Sequence, residues 1–307
     1  MTLVSVLVAA YKPTYLEVAL GSALGQTHRD LEVVVIDDST GREVAEIVRE
    51  CGDARIRYVR NETNQGPALS HARAIAEASG SVLGVLNDDD VWEPDFVARL
   101  LDALQTAPEA VVAFADHWIM VNGMKDPVAS DECSRAWSRD HLAPGLHLPF
   151  KRLAVLDKPV SIAGAALFRS AAVAGIVIPK EVGGTYDYFL AYVLCRDGAG
   201  AVYVPQRLAS WRTHDGNLTN EASCARAEEG AAVMRIVFAD QRLAQFRPAL
   251  RAAYRSALWC VATRNLRGGS RRRTATAALA ATRHGHVKSA LLLPAILLPR
   301  WVIRSCW

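Results

Sequence analysis

The first hundred residues alternate between short apolar runs and segments whose apolar residues recur at helical spacing. The apolar runs occupy residues 3–10, 31–36, 56–59 and 82–86, and the helical patterns follow them at 14–25, 44–48, 67–78 and 94–104. Strict alternation of this kind predicts right-handed crossovers and a mostly parallel sheet with helices on both faces. Because such sheets bind ligands at the carboxyl ends of their strands, we expect Tyr11, Asp38 and Asp89 to converge at one edge.

A plain dinucleotide-binding domain is the first alternative for an alternating chain. That fold has a G-x-G-x-x-G turn directly after its first strand, where the pyrophosphate meets a helix N-terminus. This chain has AAYKPTY at that point. The sequence therefore argues against a plain dinucleotide-binding fold.

An acidic run follows the fourth apolar run, in the stretch GSVLGVLNDDDVW. Three adjacent carboxylates repel one another, and a divalent cation with hard oxygen ligands offsets that repulsion best. Mg²⁺ and Mn²⁺ normally keep open positions for phosphate oxygens of a substrate. The alternative is a solvated acidic turn that caps the helix beginning near Pro94, because Asp is common at helix N-termini. The run consists of Asn87, Asp88, Asp89 and Asp90.

Length and cysteine usage limit the class of protein. A chain of 307 residues can bury a large core, in one large domain with an appendage or in two domains. The cysteines are scattered without a CxxC pair, which argues against a zinc site or a disulfide scaffold. Met1 and Thr2 lead directly into the first apolar run, so no signal peptide is expected and a reduced, cytoplasmic location fits best. The six cysteines are Cys51, Cys133, Cys195, Cys224, Cys260 and Cys306.

The net charge of +3 hides a division along the chain. Residues 241–307 contain 13 Arg or Lys and no Asp or Glu, whereas the preceding residues carry 22 basic and 32 acidic side chains. Such asymmetry suggests that the tail meets something anionic, and its apolar content favours a membrane surface over nucleic acid. The apolar run at 290–299 is too short to span a bilayer. An interfacial helix and a packed helix with exposed arginines both remain open for it.

Three blocks of the sequence resemble family 2 glycosyltransferases, which have the GT-A fold. The blocks are VSVLVAAYKP, LGSALGQTHRDLEVVVIDDST and NQGPALSHARAIAEASGSVLGVLNDDDVW. They resemble the nucleotide-sugar-binding half of the family over about residues 3–95, and the resemblance resumes near 185–215. It implies an α/β fold of the GT-A type, with a single mostly parallel Rossmann-like sheet flanked by helices and a C-terminal helical appendage.

The resemblance also implies a domain division. The catalytic domain would span residues 1–220, with a nucleotide-sugar half at 1–106 and an acceptor half at 107–220, and a helical basic region would span 221–307. Within the acceptor half we expect a strand at 111–120 with Asp116 and His117 inside it, an irregular stretch at 126–153, and strand character at 160–168. Further strands are expected at 201–204 and 207–212, and helices at 221–239 and 246–262, interrupted at 268, 269 and 271–273.

The family pattern assigns donor-binding roles to four residues outside the acidic run. Ala10 and Tyr11 end the first strand where the family cradles the base and ribose. Asp38 corresponds to the acidic residue that hydrogen-bonds the base, and a carboxylate suits the imide N–H of uracil or thymine because it only accepts. The alternative is that Asp37 and Asp38 cap the helix that follows Gly41. Arg73 lies where the family places a basic side chain near the base and phosphates, or is simply an exposed helical arginine.

The acidic run departs from the usual Asp-x-Asp of the family, because Asn87 stands in its first position. Alignment on Trp92 places Asp89 where the family has its metal-ligating carboxylate and Asp88 where it contacts ribose or metal. Asn87 can still accept a hydrogen bond through its amide oxygen. In the later block WRTHDGN, His214 matches a family histidine that completes the metal shell or holds the diphosphate, and imidazole suits Mn²⁺ better than Mg²⁺.

The block GGTYDYFLAYVL resembles the segment that carries the catalytic base. Asp187 lies after the two glycines in the predicted first turn of a helix, where a carboxylate is favoured by the helix dipole. A carboxylate near the acceptor hydroxyl would remove its proton as the anomeric carbon is attacked. A helix-capping role is the alternative, and Asp116 and Asp215 are the rival carboxylates.

Three functions are compatible with these residues. The favoured one is an inverting glycosyltransferase that moves a sugar from a nucleotide diphosphate sugar, UDP- or TDP-linked, to a saccharide, lipid-linked or natural-product hydroxyl with Mn²⁺ or Mg²⁺. A nucleotidyltransferase of related fold would need a Gly-rich basic signature after the first strand, which Lys12 alone does not provide. A catalytically dead binding module would be marked by loss of Asp187 or Asp89. No nucleic acid partner is expected.

Overall fold

The computed structural model describes residues 2–214, 217, 223–268 and 270–295. The chain divides into two compact units. The first comprises Met1–Lys180 and Tyr186–Asp215, and the second comprises Glu181–Thr185 and Gly216–Trp307.

The first unit is built on one sheet. Its strands are β1 (Val4–Ala10), β2 (Leu31–Asp37), β3 (Ile56–Arg60), β4 (Val82–Val85), β5 (Val91–Trp92), β6 (Ala110–Val121), β7 (Met124–Asp126), β8 (Gly145–His147), β9 (Ala166–Arg169) and β10 (Gly200–Thr213). The strand order is β3-β2-β1-β4-β9-β6-β10-β5, with β7 beside β6 and β8 beside β10. The first four strands in this order pair in parallel, as the alternating sequence predicts.

Helices connect these strands. The first unit has α1 (Leu16–Leu24), α2 (Glu43–Cys51), α3 (Pro67–Glu77), α4 (Phe96–Thr106), α5 (Pro127–Ala136), α6 (Ile162–Ala165) and α7 (Tyr186–Cys195). The second has α8 (Cys224–Ala239), α9 (Arg247–Arg267), α10 (Arg271–Arg283) and α11 (Leu292–Ala295). The elements of the first hundred residues agree with the sequence prediction to within two residues at nearly every boundary.

The core of the first unit lies around β1. Its side chains are fully buried at Val4, Val6 and Val8, and they pack in one cluster with Leu20 of α1 and Leu100 of α4. A strand that is buried on both faces needs apolar residues at consecutive positions, which explains the unbroken apolar runs of the sequence.

The acceptor half of the sheet is of mixed direction. Strand β9 is antiparallel to both β4 and β6, so β6 runs in the same direction as β4. Strand β10 lies parallel to β6 along most of its length, with register shifts near Arg207. The prediction of two strands at 201–204 and 207–212 is therefore wrong, because the chain continues through Pro205 as one irregular strand. Proline has no N–H for the ladder, and a local irregularity accommodates it.

Two further expectations for the acceptor half need correction. The stretch 126–153 contains helix α5, which the sequence prediction missed. Pro127 occupies the first turn and the Asp126 carboxylate caps the helix by accepting from the amide of Ala129 at 3.0 Å.

The strand expected over 160–168 is shorter, since α6 occupies its first half and Gly164 has a φ of 85° that breaks the extended backbone.

The second unit has a small core of its own. Small and branched side chains of α8, α9 and α10 pack together, with Ala262 and Ala278 fully buried at their centre. Helix α9 continues to Arg267, five residues beyond the predicted end, and the predicted interruption is shorter than expected because Arg271, Arg272 and Arg273 begin α10. None of the helices in the described part of the chain combines the length and the hydropathy of a membrane span. The predicted apolar tail lies outside the described residues from position 296 onward.

Candidate active site

One carboxylate ties together the ends of β1 and β4. Oδ2 of Asp88 accepts hydrogen bonds from the backbone amides of Tyr11 and Lys12, at 2.8 and 2.9 Å. Beside it, the carbonyl oxygen of the buried Ala10 accepts from the amide of Asp38 at 2.8 Å. The side chain of Tyr11 is half exposed. The structure therefore brings four of the predicted nucleotide-binding residues to the carboxyl edge of the sheet.

The surroundings of Asp88 raise the pKa of its carboxyl group. Burial raises the pKa of Asp88 to about 6, and the charge of Asp89 acts in the same direction. The two amide hydrogen bonds from Tyr11 and Lys12 lower it and oppose the burial. Through these two bonds Asp88 holds the backbone of the first loop, which begins at Tyr11 and Lys12 directly after β1.

Asp38 is joined to the loop before α3. Its two carboxylate oxygens accept from the amides of Gln65 and Gly66, at 2.7 and 2.8 Å, and from Nδ2 of Asn61 at 2.8 Å. Arg73 donates to Oδ1 of the same Asn61 at 2.6 Å. Asp38, Asn61 and Arg73 therefore form one network that fixes the loop between β3 and α3.

The alternative in which Asp37 and Asp38 cap the second helix is wrong. Helix α2 begins at Glu43, and its N-cap residue is Arg42. The buried Asp37 instead accepts from the hydroxyl of Tyr58 at 2.5 Å and from Arg60 at 3.1 Å.

Asp90 is an important residue that the sequence prediction left without a role. It is buried, and its Oδ1 accepts from the backbone amide of Arg212 at 3.0 Å while its Oδ2 accepts from Nδ2 of Asn87 at 2.7 Å. Burial raises the pKa of Asp90 to about 7, and the charge of Asp89 adds to this effect. The signal in the sequence was its position directly before Val91 and Trp92, the short strand β5 that pairs with β10.

Asp89 and His214 face each other. Nε2 of His214 lies 3.0 Å from Oδ2 of Asp89, and both side chains are about one-fifth exposed, at 20% and 22%. Arg212 donates from Nε to the carbonyl oxygen of Asp89 at 2.9 Å, and its guanidinium lies 4.3 Å from the ring centre of Tyr15. The two residues that the sequence analysis proposed as metal ligands therefore lie next to each other in the structure.

The donor atoms of this pair fit a divalent cation. A carboxylate oxygen and an imidazole nitrogen are ligands that Mn²⁺ accepts, and two protein ligands leave positions for phosphate oxygens. The described residues contain no group of three or more His, Cys, Asp or Glu side chains arranged to hold a metal. Asp88 and Asp90 are bonded to other partners, so Asp89 is the carboxylate of the run that fits a cation, together with His214.

Asp187 is the second residue of α7 and is partly buried. The nearby Lys158 has its ammonium 4.3 Å from the ring centre of Tyr188. Burial lowers the pKa of Lys158, and the charge of Asp187 partly offsets this shift. Asp187 therefore lies in the first turn of its helix, as both the catalytic and the capping interpretations predicted. The ammonium group of Lys158 is close to it.

Asp116, the first rival carboxylate, is occupied by three side chains and by the backbone amide of the residue that follows it. It accepts from the hydroxyl of Ser134 and from Arg139 at 3.3 Å, and Nε of Arg207 lies 3.6 Å from it. These residues line a recess of about 340 Å³ beside α5. Because both carboxylate oxygens already face donors, Asp116 has no free oxygen directed at an acceptor hydroxyl. Asp215, the second rival, lies outside the described residues.

Tyr186 links α7 to the acidic run. Its hydroxyl donates to Oδ1 of Asn87 at 3.3 Å, and its ring stacks on the imidazole of His71 with the ring centres 3.8 Å apart. Nδ1 of His71 lies 2.7 Å from the carbonyl oxygen of Pro67, so the proton is on Nδ1. Nε2 of His71 is buried and has no hydrogen-bond partner within the described part of the chain.

Comparison with known proteins identifies relatives of this chain. The model of the family described as Glycosyl transferase family 2 matches residues 5–174. The chain is 31% identical over 108 residues to the Escherichia coli UDP-Glc:alpha-D-GlcNAc-diphosphoundecaprenol beta-1,3-glucosyltransferase WfaP, covering 34% of this chain and 43% of that protein. It is 31% identical over 169 residues to the succinoglycan biosynthesis protein ExoO of Rhizobium meliloti, covering 54% of this chain and 44% of the relative. The matched region is thus less than half the length of each of these relatives.

Solved structures share the fold at low sequence identity. TarS 1-349 of S. aureus in complex with UDP-GlcNAc is similar with a TM-score of 0.68 at 15% identity, over 95% of this chain and 84% of that one. The mannosyltransferase PcManGT of Pyrobaculum calidifontis, in complex with GDP-Man and Mn2+, is similar with a TM-score of 0.59 at 18% identity, over 98% and 83% of the two chains. The fold predicted from the sequence, a GT-A-like α/β sheet flanked by helices, is confirmed.

The burial of His71 predicts a pH dependence of stability. Burial lowers its pKa from the ordinary 6.5 to about 4, so the unfolded chain takes up this proton at a higher pH than the folded chain. As the pH falls from about 6.5 to about 4, His71 should therefore lower the free energy of unfolding by roughly 3 kcal/mol. Above that range its contribution should be constant.

Urea unfolding of wild type and His71→Phe at a series of pH values measures this contribution. Phenylalanine keeps a ring against Tyr186 but cannot titrate. The variant should lose less stability than wild type between pH 6.5 and pH 4, and parallel curves for the two proteins would contradict the prediction.

Proposed function

The chain belongs to glycosyl transferase family 2, and on that premise we propose an inverting transfer of a sugar from a UDP- or TDP-sugar to a hydroxyl of a saccharide, lipid-linked or natural-product acceptor. The observation that carries the proposal is the arrangement of two centres in the first unit. The Asp89–His214 pair follows β4 and β10, and Asp187 begins α7, whose neighbouring Tyr186 bonds to the acidic run. The Asp89–His214 pair suits a diphosphate with its cation, and the carboxylate of Asp187 suits the role of proton acceptor.

The names of the relatives support this choice of substrates. WfaP is named for UDP-Glc and for a lipid diphosphate acceptor, and ExoO for polysaccharide biosynthesis. The family match argues against the nucleotidyltransferase alternative, which would make a sugar nucleotide rather than use one. The presence of both Asp89 and Asp187 argues against a binding module without activity.

The proposed donor site is the edge formed by β1, β2 and β4. Ala10 and Tyr11 would accommodate the base and ribose, and Asn87 and Asp88 would contact the ribose. Asp38 and Arg73 would act at the base, and their shared partner Asn61 holds both of them beside the loop before α3. Closing the site to water strengthens each of these electrostatic interactions.

Asp89 and His214 would hold the divalent cation, Mn²⁺ or Mg²⁺. The cation, when bound, neutralises charge on the diphosphate and its leaving oxygen. The protein's part is to keep the two donors adjacent, and Arg212 does so by holding the carbonyl of Asp89 from the strand that leads to His214.

Replacement of Asp89 tests the metal assignment. Asp89→Ala should abolish transfer and lower metal-dependent nucleotide affinity by at least tenfold, since one of two protein ligands is lost. Calorimetric titration of UDP with and without Mn²⁺ measures the affinity apart from turnover. Asp95→Ala is the matched control, because Asp95 is an exposed acid that pairs with Arg99 on α4. Undiminished UDP binding and activity of wild type in EDTA would refute the assignment.

Asp187 is the proposed base. Its carboxylate would take the proton of the acceptor hydroxyl as that oxygen forms its bond to the anomeric carbon, and the bond from this carbon to the diphosphate oxygen breaks. Attack from the face opposite the diphosphate inverts the configuration. Lys158 lies close enough to Asp187 for the charge of this carboxylate to raise the pKa of the lysine against the effect of burial.

The base assignment predicts a specific kinetic change. Asp187→Asn keeps the shape of the side chain but cannot take a proton, so kcat should fall by about 10² to 10⁴ while donor affinity stays nearly unchanged. Steady-state kinetics together with proton NMR of the anomeric coupling in the product check both rate and inversion. A retained configuration, or a fast Asp187→Asn with a slow Asp116→Asn, would show that another carboxylate is the base.

We also propose that the second unit contacts an anionic membrane surface. Its helices expose Arg251, Arg267, Arg272, Arg283 and Lys288, and from α9 to α11 the described residues contain no acid. Leu279 and Leu291, also in this unit, are 46% and 65% exposed. Basic side chains beside exposed apolar ones are typical of helices that lie in a membrane interface.

Liposome sedimentation tests the membrane contact. Each basic residue near an anionic surface contributes about 1 kcal/mol, so Arg267→Gln with Arg272→Gln should weaken binding to phosphatidylserine vesicles roughly 30-fold. The matched control is Arg42→Gln with Arg49→Gln, which removes two exposed arginines of the first unit. High salt should release the wild-type protein. Equal pelleting of both double variants, or no pelleting of wild type, would refute the contact.

A further inference from the structure

We propose that Tyr186 is a positioning residue that fixes the distance between the proposed base and the proposed donor site. This inference rests on the proposed function, because it assumes that Asp187 is the base. Tyr186 is the first residue of α7 and directly precedes Asp187. Its side chain is only 5% exposed, so its orientation is set by its neighbours.

Two contacts determine where Tyr186 lies. Its ring stacks on His71 of α3, with an angle of 17° between the planes, and its hydroxyl donates to Asn87 at 3.3 Å. The first contact holds the ring against α3, and the second joins it to the acidic run. The start of α7 is therefore connected to the loop that contains Asp89.

The acidic run is the fixed end of this connection. Asp88 is bonded to the amides of the first loop, Asp90 is bonded to the backbone of Arg212, and Asn87 is bonded to Asp90. Loss of the Tyr186 hydroxyl leaves all of these bonds in place. The first turn of α7, and Asp187 with it, is the part that would move.

Such a displacement changes the rate rather than donor binding. The base must meet the acceptor hydroxyl while the hydroxyl faces the anomeric carbon, and an error of about 1 Å in such an arrangement costs up to about 10² in rate. The donor site keeps its own contacts. The expected signature of a positioning role is therefore a lower kcat with an unchanged donor dissociation constant.

Tyr186→Phe is the direct test, since it removes the hydroxyl and retains the stacked ring. Because the net contribution of one hydrogen bond corresponds to a factor of about 3 to 10 in an equilibrium or rate, kcat should fall by that factor or more. Calorimetry should give a donor dissociation constant within about twofold of wild type. Tyr188→Phe is the matched control, because that hydroxyl on the same helix donates to the carbonyl of Val155 and not to the acidic run.

A double-mutant cycle distinguishes positioning through Asn87 from a general loss of packing. If the hydroxyl acts through Asn87, Tyr186→Phe should lower kcat no further in an Asn87→Ala background. Hydrogen exchange at the amides of the first turn of α7 should quicken in Tyr186→Phe and stay as in wild type in Tyr188→Phe.

Three outcomes would overturn the inference: a wild-type kcat for Tyr186→Phe, an equal loss in Tyr188→Phe, or additive losses in the cycle. Failure of the proposed function is recognised separately, because then wild type transfers no sugar or Asp187→Asn is as fast as wild type.

Discussion

Mutual repulsion among the adjacent carboxylates of Asp88, Asp89 and Asp90 is the constraint on which the arrangement of the first unit depends. The structure resolves it by giving each carboxylate a different partner. Asp88 accepts from the backbone of the first loop, Asp90 accepts from the backbone of Arg212, and Asp89 meets His214. These bonds join the ends of β1, β4 and β10, so the charges that repel one another also hold three strand ends together. Burial is the main cause of the raised pKa values of Asp88 and Asp90, and the charge of Asp89 adds to it in both.

The parallel part of the fold could be predicted from the sequence because its signals are local. A buried parallel strand needs consecutive apolar residues and its crossover helix needs apolar residues at helical spacing, and both patterns are present in residues 3–104. The acceptor half was harder to predict. Helix α5 depends on a cap by Asp126 and on Pro127, a short signal inside a stretch rich in turn residues. The continuation of β10 through Pro205 depends on its pairing with β6, which is a tertiary effect.

The candidate site could be predicted in part, for the same reason. The residues that follow strand ends, such as Tyr11, Asp38 and Asp89, were identifiable because parallel strands present their carboxyl ends at one edge. Their partners were not identifiable. That Asp38 and Arg73 both join Asn61 depends on how the loop before α3 folds back. The importance of Asp90 and Tyr186 likewise depends on contacts across 122 and 99 residues of sequence. The role of Tyr186 in positioning the base stays a prediction.

The contacts of Asn87 explain why this chain can depart from the usual acidic residue at that position. Its amide nitrogen donates to Asp90 at 2.7 Å, and its amide oxygen accepts from Tyr186 at 3.3 Å. An aspartate at 87 could accept from the tyrosine, but facing Asp90 it would place an acceptor against an acceptor and add a fourth carboxylate to the run. A neutral side chain with one donor and one acceptor satisfies both neighbours without that repulsion. The asparagine and the tyrosine are therefore best understood as a matched pair, in which the amide limits the charge of the acidic run and the phenol connects that run to the helix of the proposed base.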